Sequence, residues 1–205
     1  MKKIDYKKEL KHLYKPSAKK VEIINVPAMD YLMVDGEGGP SARSFQEAIE
    51  ALYGLSYALK FMIKKGKQEV DYGVLPLEGL WWVEDMSKFS VEDKDSWKWT
   101  LMIMQPKYVT FELLEEAKEQ LKKKKNPVAL SKVKFSTFEE GKAAQTMHIG
   151  PFSEEGPTVQ KIHAFIEAHE GKLTGKHHEI YLSDIRKAAP EKWKTIIRQP
   201  MTQKV

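Results

Sequence analysis

The sequence predicts an α+β protein made of two tandem βαββ modules. Three observations carry that prediction. Short β-like runs alternate with longer stretches of helical periodicity. The order strand, turn, helix, strand, strand occurs twice. One run also recurs at a fixed offset, with Trp99, Ile103, Gln105 and Pro106 answered by Trp193, Ile197, Gln199 and Pro200. Two such modules are expected to lay antiparallel sheets side by side with pseudo-twofold symmetry. Both helices would then lie on one face, leaving a ligand cleft between the modules on the other.

Each element has its own warrant. Residues 1–20 are polar and basic, and Pro16 and Ser17 break any helix there, so they read as an N-terminal arm with room for one short helix. The first module is expected over residues 21–106. Residues 21–26 and 31–34 are strand-like around Pro27, and Asp35-Gly36-Glu37-Gly38-Gly39-Pro40 is a turn cluster. Ser44 with Glu47 fits a capping box, and Phe45, Ala48, Ile49, Leu52, Leu55, Ser56, Leu59 and Ile63 recur at helical spacing until Lys64-Lys65-Gly66. Strands are expected at 70–75, 80–83 and 97–104, closed by Gln105-Pro106. A helix over 111–125 ending at Asn126-Pro127 forms, with its lysine run, a connection over 107–131.

The second module is expected over residues 132–205. Residues 133–138 and 143–149 are strand-like, separated by Glu139-Glu140-Gly141. Gly150-Pro151-Phe152 is a turn, and Pro157 sits in the first turn of a helix marked by Val159, Ile162, His163, Ile166 and His169 and ended by Gly171. Residues 179–182 and 193–197 complete the module as strands.

Composition sets the limits. The chain has 205 residues, 41% hydrophobic and 31% charged, enough for a well-buried core. Without cysteine there is no disulfide framework, thiolate metal site or cysteine nucleophile. The net charge of +5 gathers largely in residues 2–20 and 122–125. These basic clusters lack interleaved aromatics or a helix-turn-helix pattern, so they read as solvated surface and no direct DNA binding is expected. The first residues lack the apolar core of a signal peptide, and no apolar run is long enough to span a bilayer, so the expected location is cytoplasmic with no membrane partner.

The chemistry concentrates near the C-terminal end, in Gly175-Lys176-His177-His178-Glu179-Ile180-Tyr181-Leu182. Strand alternation puts Glu179 and Tyr181 on one face and Ile180 and Leu182 on the other. A buried carboxylate needs a partner or a purpose. In an aromatic cleft Glu179 can position a water as general base or hold a cationic group; otherwise it is an edge glutamate in water. Tyr181 reads equally as a hydrogen-bond donor in that cleft or as a core tyrosine. Trp81, Trp82, Trp97 and Trp99 are dense for one module and offer flat walls for an aromatic ligand. Alternation splits Trp81 from Trp82, however, so one of them belongs to ordinary core. Tyr53 and Tyr57, one turn apart, can close the cleft from the helix or pack it onto the sheet. His148 and Phe152 flank Gly150-Pro151, and a satisfied strand-end histidine is the simpler reading of His148. His177 and His178 point to opposite faces and are ill-placed to ligate one ion, so no metal or cofactor is expected. The glycine cluster at 36–39 lacks the G-x-G-x-x-G spacing, and no serine lies in a nucleophile elbow.

The runs Gln145-Thr146-Met147-His148-Ile149-Gly150-Pro151-Phe152, Gly175 to Asp184 and Lys194-Thr195-Ile196-Ile197-Arg198-Gln199-Pro200 resemble the GyrI-like (gyrase-inhibitor-like) small-molecule-binding superfamily. Asp35-Gly36-Glu37-Gly38 and Pro76-Leu77-Glu78-Gly79-Leu80-Trp81-Trp82 add to the likeness. The resemblance implies a duplicated βαββ fold with a ligand cleft, in which a strand glutamate, at Glu179 here, faces aromatic and often cationic ligands. Many relatives carry a helix-turn-helix domain, and residues 1–20 are too short for one. The stand-alone branch resembled includes cyclopropanoid cyclohydrolases, which open the cyclopropane of duocarmycin- and yatakemycin-type compounds. The resemblance thus implies a cofactor-free small-molecule hydrolase acting in detoxification, with Glu179 and Tyr181 as its catalytic residues. It leaves a non-catalytic binder or sensor of aromatic drugs as the alternative, and a protein-interaction module as a third possibility.

Overall fold

The computed structural model describes residues 1–86 and 93–203. In chain order the elements are β1 (Lys2–Ile4), α1 (Tyr6–Glu9), α2 (Lys11–Tyr14), β2 (Glu22–Val26), β3 (Met29–Glu37), α3 (Arg43–Lys65), β4 (Val70–Tyr72), β5 (Leu77–Trp82), β6 (Lys98–Met104), α4 (Phe111–Lys124), β7 (Lys134–Phe138), β8 (Gly141–Ile149), α5 (Gly156–Ala168), β9 (Gly171–Leu173), β10 (His177–Tyr181) and β11 (Lys194–Gln203). The fold class is α+β, with mainly antiparallel strands and few helices, as the sequence leads one to expect.

The chain forms two compact units that interleave in sequence. One comprises Met1–Glu9, Met29–Leu77 and Trp81–Phe138; the other comprises Leu10–Ala28, Glu78–Leu80 and Glu139–Val205. This differs from the linear division expected: β2 and Glu78–Leu80, expected in the first module, belong to the second unit, and β7, expected in the second module, belongs to the first. β7 pairs with β3, Leu32 lying opposite Phe135. The arm is longer in structure than expected: β1 pairs in parallel with β4, while Leu13 and Tyr14 of α2 are buried in the second unit.

In the first unit β3 pairs with both β6 and β7. α3 packs on β3, β4 and β6 through Phe45, Ala48, Ala51, Leu52, Leu55, Ser56, Leu59 and Ile63, nearly the stripe read from the sequence. The capping box does not form. Ala42 is the N-cap without a side-chain bond, and Glu47 is drawn to Arg43 one turn away, at 2.7 Å. α4 is capped by Thr110, whose hydroxyl accepts the Leu113 N–H at 3.3 Å.

In the second unit the strand order is β2-β8-β11-β10, with β9 pairing β11 and the Glu78–Leu80 stretch of β5 next to β10. α5 covers one side of this sheet. Its Ile162 and Ile166 pack with Val21, Ala144, Ile197 and Met201. In both units, then, the strand that leads into the helix pairs with a later strand that ends in Gln-Pro or runs through it: β3 with β6, before Gln105-Pro106, and β8 with β11, which contains Gln199-Pro200.

Candidate functional site

β10 carries chemistry on both faces, and register decides which residues meet. His178 lies opposite Arg198 of β11, Glu179 opposite Ile197 and Tyr181 opposite Thr195. Across the next pairing, Arg198 lies opposite Gln145 and Thr195 opposite His148. Because Ile197 packs against α5, the helix side of the sheet receives Glu179, Tyr181, Thr195 and His148. The sequence reading put the ligand on the side away from the helices. In this unit Glu179 is on the helix side, since that register leaves no other side for it.

There Glu179 is held by both oxygens. His177 Nε2 donates to Oε1 at 3.0 Å and the Tyr181 hydroxyl donates to Oε2 at 2.8 Å. Its side chain is 16% exposed, which leaves access from solvent. Glu155, just before α5, faces the same place. It is buried, with Oε1 unbonded among the described residues. Burial first, and then the negative charge of Glu179, push its carboxyl up to about 9, against a hydrogen bond from Thr195 that pulls the other way. At neutral pH Glu155 is therefore held as a carboxylic acid, beside a Glu179 that accepts two hydrogen bonds. His163 of α5 completes the cluster. Burial and the neighbouring His177 lower its pKa, against a hydrogen bond involving Gln199.

An aromatic rim flanks the acids. The Phe152 ring lies 5.7 Å edge-on from Tyr181 and 5.1 Å from Trp193. Trp193 is fixed by its indole N–H donating to the Ala188 carbonyl at 2.8 Å. Phe152 remains 39% exposed and so presents a face to solvent. His148 braces the turn below it: Nδ1 lies 3.0 Å from the Thr158 hydroxyl and Nε2 lies 3.2 Å from the Pro151 carbonyl. The Pro151 carbonyl can only accept, so Nε2 carries a proton, and both ring nitrogens have partners.

The other face of β10 is an ion network. His178 Nδ1 meets Glu140 at 2.8 and 3.0 Å, and Nε2 meets Glu78 at 3.0 Å. Tyr14 donates to Glu78 at 2.8 Å. Arg198 reaches Glu140 at 3.2 Å, Gln145 at 3.1 Å and the Leu13 carbonyl at 2.8 Å. The side chains of Glu78, Glu140, His178 and Arg198 in this network are each 1% exposed or less.

The tryptophans of the first unit have a different setting. Trp81, Trp97 and Trp99 are buried around Phe45, with ring centroids 5.3 to 5.5 Å apart. Their faces are largely spent on one another. Trp99 lies across Gly36, where a methyl group would fall 2.2 Å from the ring. Trp82 is half-buried and, with Trp99, Glu37 and Glu47, lines an open pocket of about 590 Å³. Tyr53 and Tyr57 stack along α3 at 6.4 Å, with Tyr53 half-buried and Tyr57 48% exposed.

The structure thus brings Glu179, Tyr181 and Phe152, all singled out in the sequence, together with Glu155, His177 and Trp193, which sequence reasoning did not place there. Glu155 had one available signal, an acid at a helix start in Ser153-Glu154-Glu155-Gly156-Pro157. Trp193 was legible only as a repeat marker. No group of three or more His, Asp or Glu positioned for a metal ion occurs among the described residues. Nor is any described helix long and apolar enough to cross a membrane.

Comparison with known proteins agrees with this architecture. A conserved protein and a hydrolase, both from Listeria innocua, are 48% and 47% identical to this chain. Each match covers 97% of this chain and 100% of the other, with TM-scores of 0.91 and 0.85. The C-terminal domain of EcmrR, at 12% identity and a TM-score of 0.56 over 90% of this chain and 98% of its own, shares the fold alone. The search of curated proteins finds no match. The family model of the GyrI-like small molecule binding domain matches residues 19–201, and the chain belongs to that family.

Proposed function

We propose that this protein is a cofactor-independent hydrolase of small, flat aromatic molecules, with Glu179 as general base and Glu155 as general acid. The observation that carries the reading is two carboxyl groups in one site with different surroundings: Glu155 is buried with one oxygen unbonded, and Glu179 accepts hydrogen bonds on both oxygens. Environments that push paired acids apart in pKa define an acid and a base. The close similarity to a hydrolase from Listeria innocua supports the same reading.

The proposed substrate class is an electrophilic xenobiotic bearing a strained cyclopropane conjugated to a carbonyl, as in duocarmycin- and yatakemycin-type compounds. Phe152, Tyr181 and Trp193 would stack the ring system. Glu179 takes a proton from water as the water oxygen attacks a cyclopropane carbon. The carbon–carbon bond breaks, and its electron pair runs through the conjugated system to the carbonyl oxygen. Glu155 delivers a proton to that oxygen, giving a phenol and an alcohol. The net change is addition of one water, with proton transfers worth about 10²–10⁴-fold each and placement supplying the rest. Tyr181 and His177 hold the Glu179 carboxylate in one orientation.

The test is mass spectrometry of a cyclopropane-bearing duocarmycin-type compound incubated with wild-type protein and with Glu179→Gln. Gain of one water with wild type alone is expected. Unchanged compound with both proteins, together with quenching of tryptophan fluorescence, would establish the alternative, a binder that uses the same rim and carboxylate.

A further inference from the structure

The ion network on the far face of β10 bears on the site through the strand itself. His178 is directly between Glu179 and His177 in sequence, so its side chain leaves the same short backbone in the opposite direction. Both its ring nitrogens face carboxylates, Glu140 at 2.8 Å and Glu78 at 3.0 Å. A neutral imidazole has one N–H and satisfies only one of two ionised carboxylates; an imidazolium satisfies both. The charges then balance, with Glu78 and Glu140 negative against His178 and Arg198 positive. Burial alone would strip the proton from a ring this deep, but the charge and hydrogen bond of Glu140 and the bond to Glu78 outweigh it and lift the ring to about 9. The remaining groups turned toward this chain are Tyr14 of α2, which donates to Glu78, and Glu22 of β2, which accepts from Gln145 at 3.1 Å.

The row reaches across the unit. His178, Arg198, Gln145 and Glu22 lie opposite one another in turn on β10, β11, β8 and β2. A slip of one residue would reverse the strand's faces and bury Glu179 where His178 stands. The network therefore fixes the register, and with it the triple of His177, Glu179 and Tyr181.

We infer that His178 is a positioning residue for Glu179: held as an imidazolium between Glu78 and Glu140, it locks β10 in the alignment that brings Glu179, Tyr181 and His177 together, and loss of its charge loosens that triple. The inference rests on Glu179 as the working carboxylate, but its test needs no substrate, so a failed turnover assay and a failed inference are distinguishable.

The experiment is long-range proton–nitrogen NMR of the histidine rings from pH 6 to 10, on wild type, Glu78→Gln and His178→Gln. In wild type both His178 nitrogens are expected in the imidazolium range through pH 8, and the His177 ring signals should shift at the pH where His178 loses its proton. In Glu78→Gln, His178 is expected to become neutral at lower pH and the His177 signals to move with it. An ordinary histidine titration of His178 near 6.5 overturns the inference. So do His177 signals that stay fixed in a folded variant, since a merely stabilising network would leave them unchanged. If circular dichroism shows both variants unfolded, the titration of Glu155→Gln decides, since it removes the other group beside the site that stands at about 9: His177 must follow His178, and independent behaviour refutes the coupling.

Discussion

Replacing Glu155 with glutamine should make the protein more stable and less active. The carboxyl is buried and stands at about 9, against an ordinary value of 4.5. The unfolded chain ionises near the ordinary value while the folded chain keeps its proton, so folding takes up a proton between these limits. The sign follows: stability is greatest below the unfolded value and falls as pH rises toward the folded one. Each pH unit inside the window costs about 1.4 kcal/mol, so at pH 7 the residue costs about 3 kcal/mol relative to acid solution. Glutamine keeps the shape and an acceptor for the Thr195 hydroxyl. Its amide mimics the protonated acid beside Glu179, but it has no proton to give. Chemical denaturation from pH 5 to 9 should therefore show wild-type stability declining and the variant nearly flat by comparison. The curves should separate by about 3 kcal/mol near neutrality. Turnover of the cyclopropane substrate should fall by about 10²–10⁴-fold. Parallel stability curves, or a variant weaker than wild type at pH 8, would show that Glu155 is charged in the folded state and would remove it as the acid.

Two structural predictions follow from the frame around the site. Gly36→Ala drives a methyl group to 2.2 Å from the Trp99 ring, and overpacking of this kind costs about 1–3 kcal/mol. Thermal melting should drop by roughly 2–10 °C, and an unchanged melting point would mean the indole swings aside freely. Tyr14→Phe removes the hydroxyl that donates to buried Glu78 at 2.8 Å, leaving one carboxylate oxygen short of a partner. The expected loss is about 1–3 kcal/mol in denaturant titrations, and a neutral effect would show that the network tolerates the gap.

The fold was legible where it rests on periodicity and obscure where it rests on pairing between distant segments. The α3 stripe from Phe45 to Ile63 is set by helical spacing, which a single sequence displays. The capping box is absent because Arg43, four residues before Glu47, offers it a charged partner at 2.7 Å in place of the cap. β7 reads as a strand from its own residues. Nothing local in it says that it pairs with β3. Likewise, Lys11 to Tyr14 reads as a polar arm, and only the assembled unit reveals that the Leu13 carbonyl is needed to satisfy Arg198. β-pairing and polar satisfaction are long-range conditions, so they leave weak traces in short windows.

The same distinction explains the candidate site. Alternation correctly joined Glu179 to Tyr181, and the two are hydrogen-bonded at 2.8 Å. It could not reveal Glu155, which arrives from a helix start, or decide which of the two acids keeps the proton. That decision depends on the surroundings of each. The face of β10 opposite them holds two carboxylates, an imidazolium and a guanidinium, whose charges cancel. A neutral cluster projects a much weaker field across the strand than a lone ion would, so it does little to favour one acid over the other. The choice falls to local partners. Glu179 receives hydrogen bonds on both oxygens from His177 and Tyr181. Glu155 has an unbonded oxygen and is buried beside that negative charge, which favours the neutral form. Two chemically identical groups thereby sit among different donors, and moving one donor from Glu179 to Glu155 would weaken the contrast on which the proposed acid–base catalysis depends.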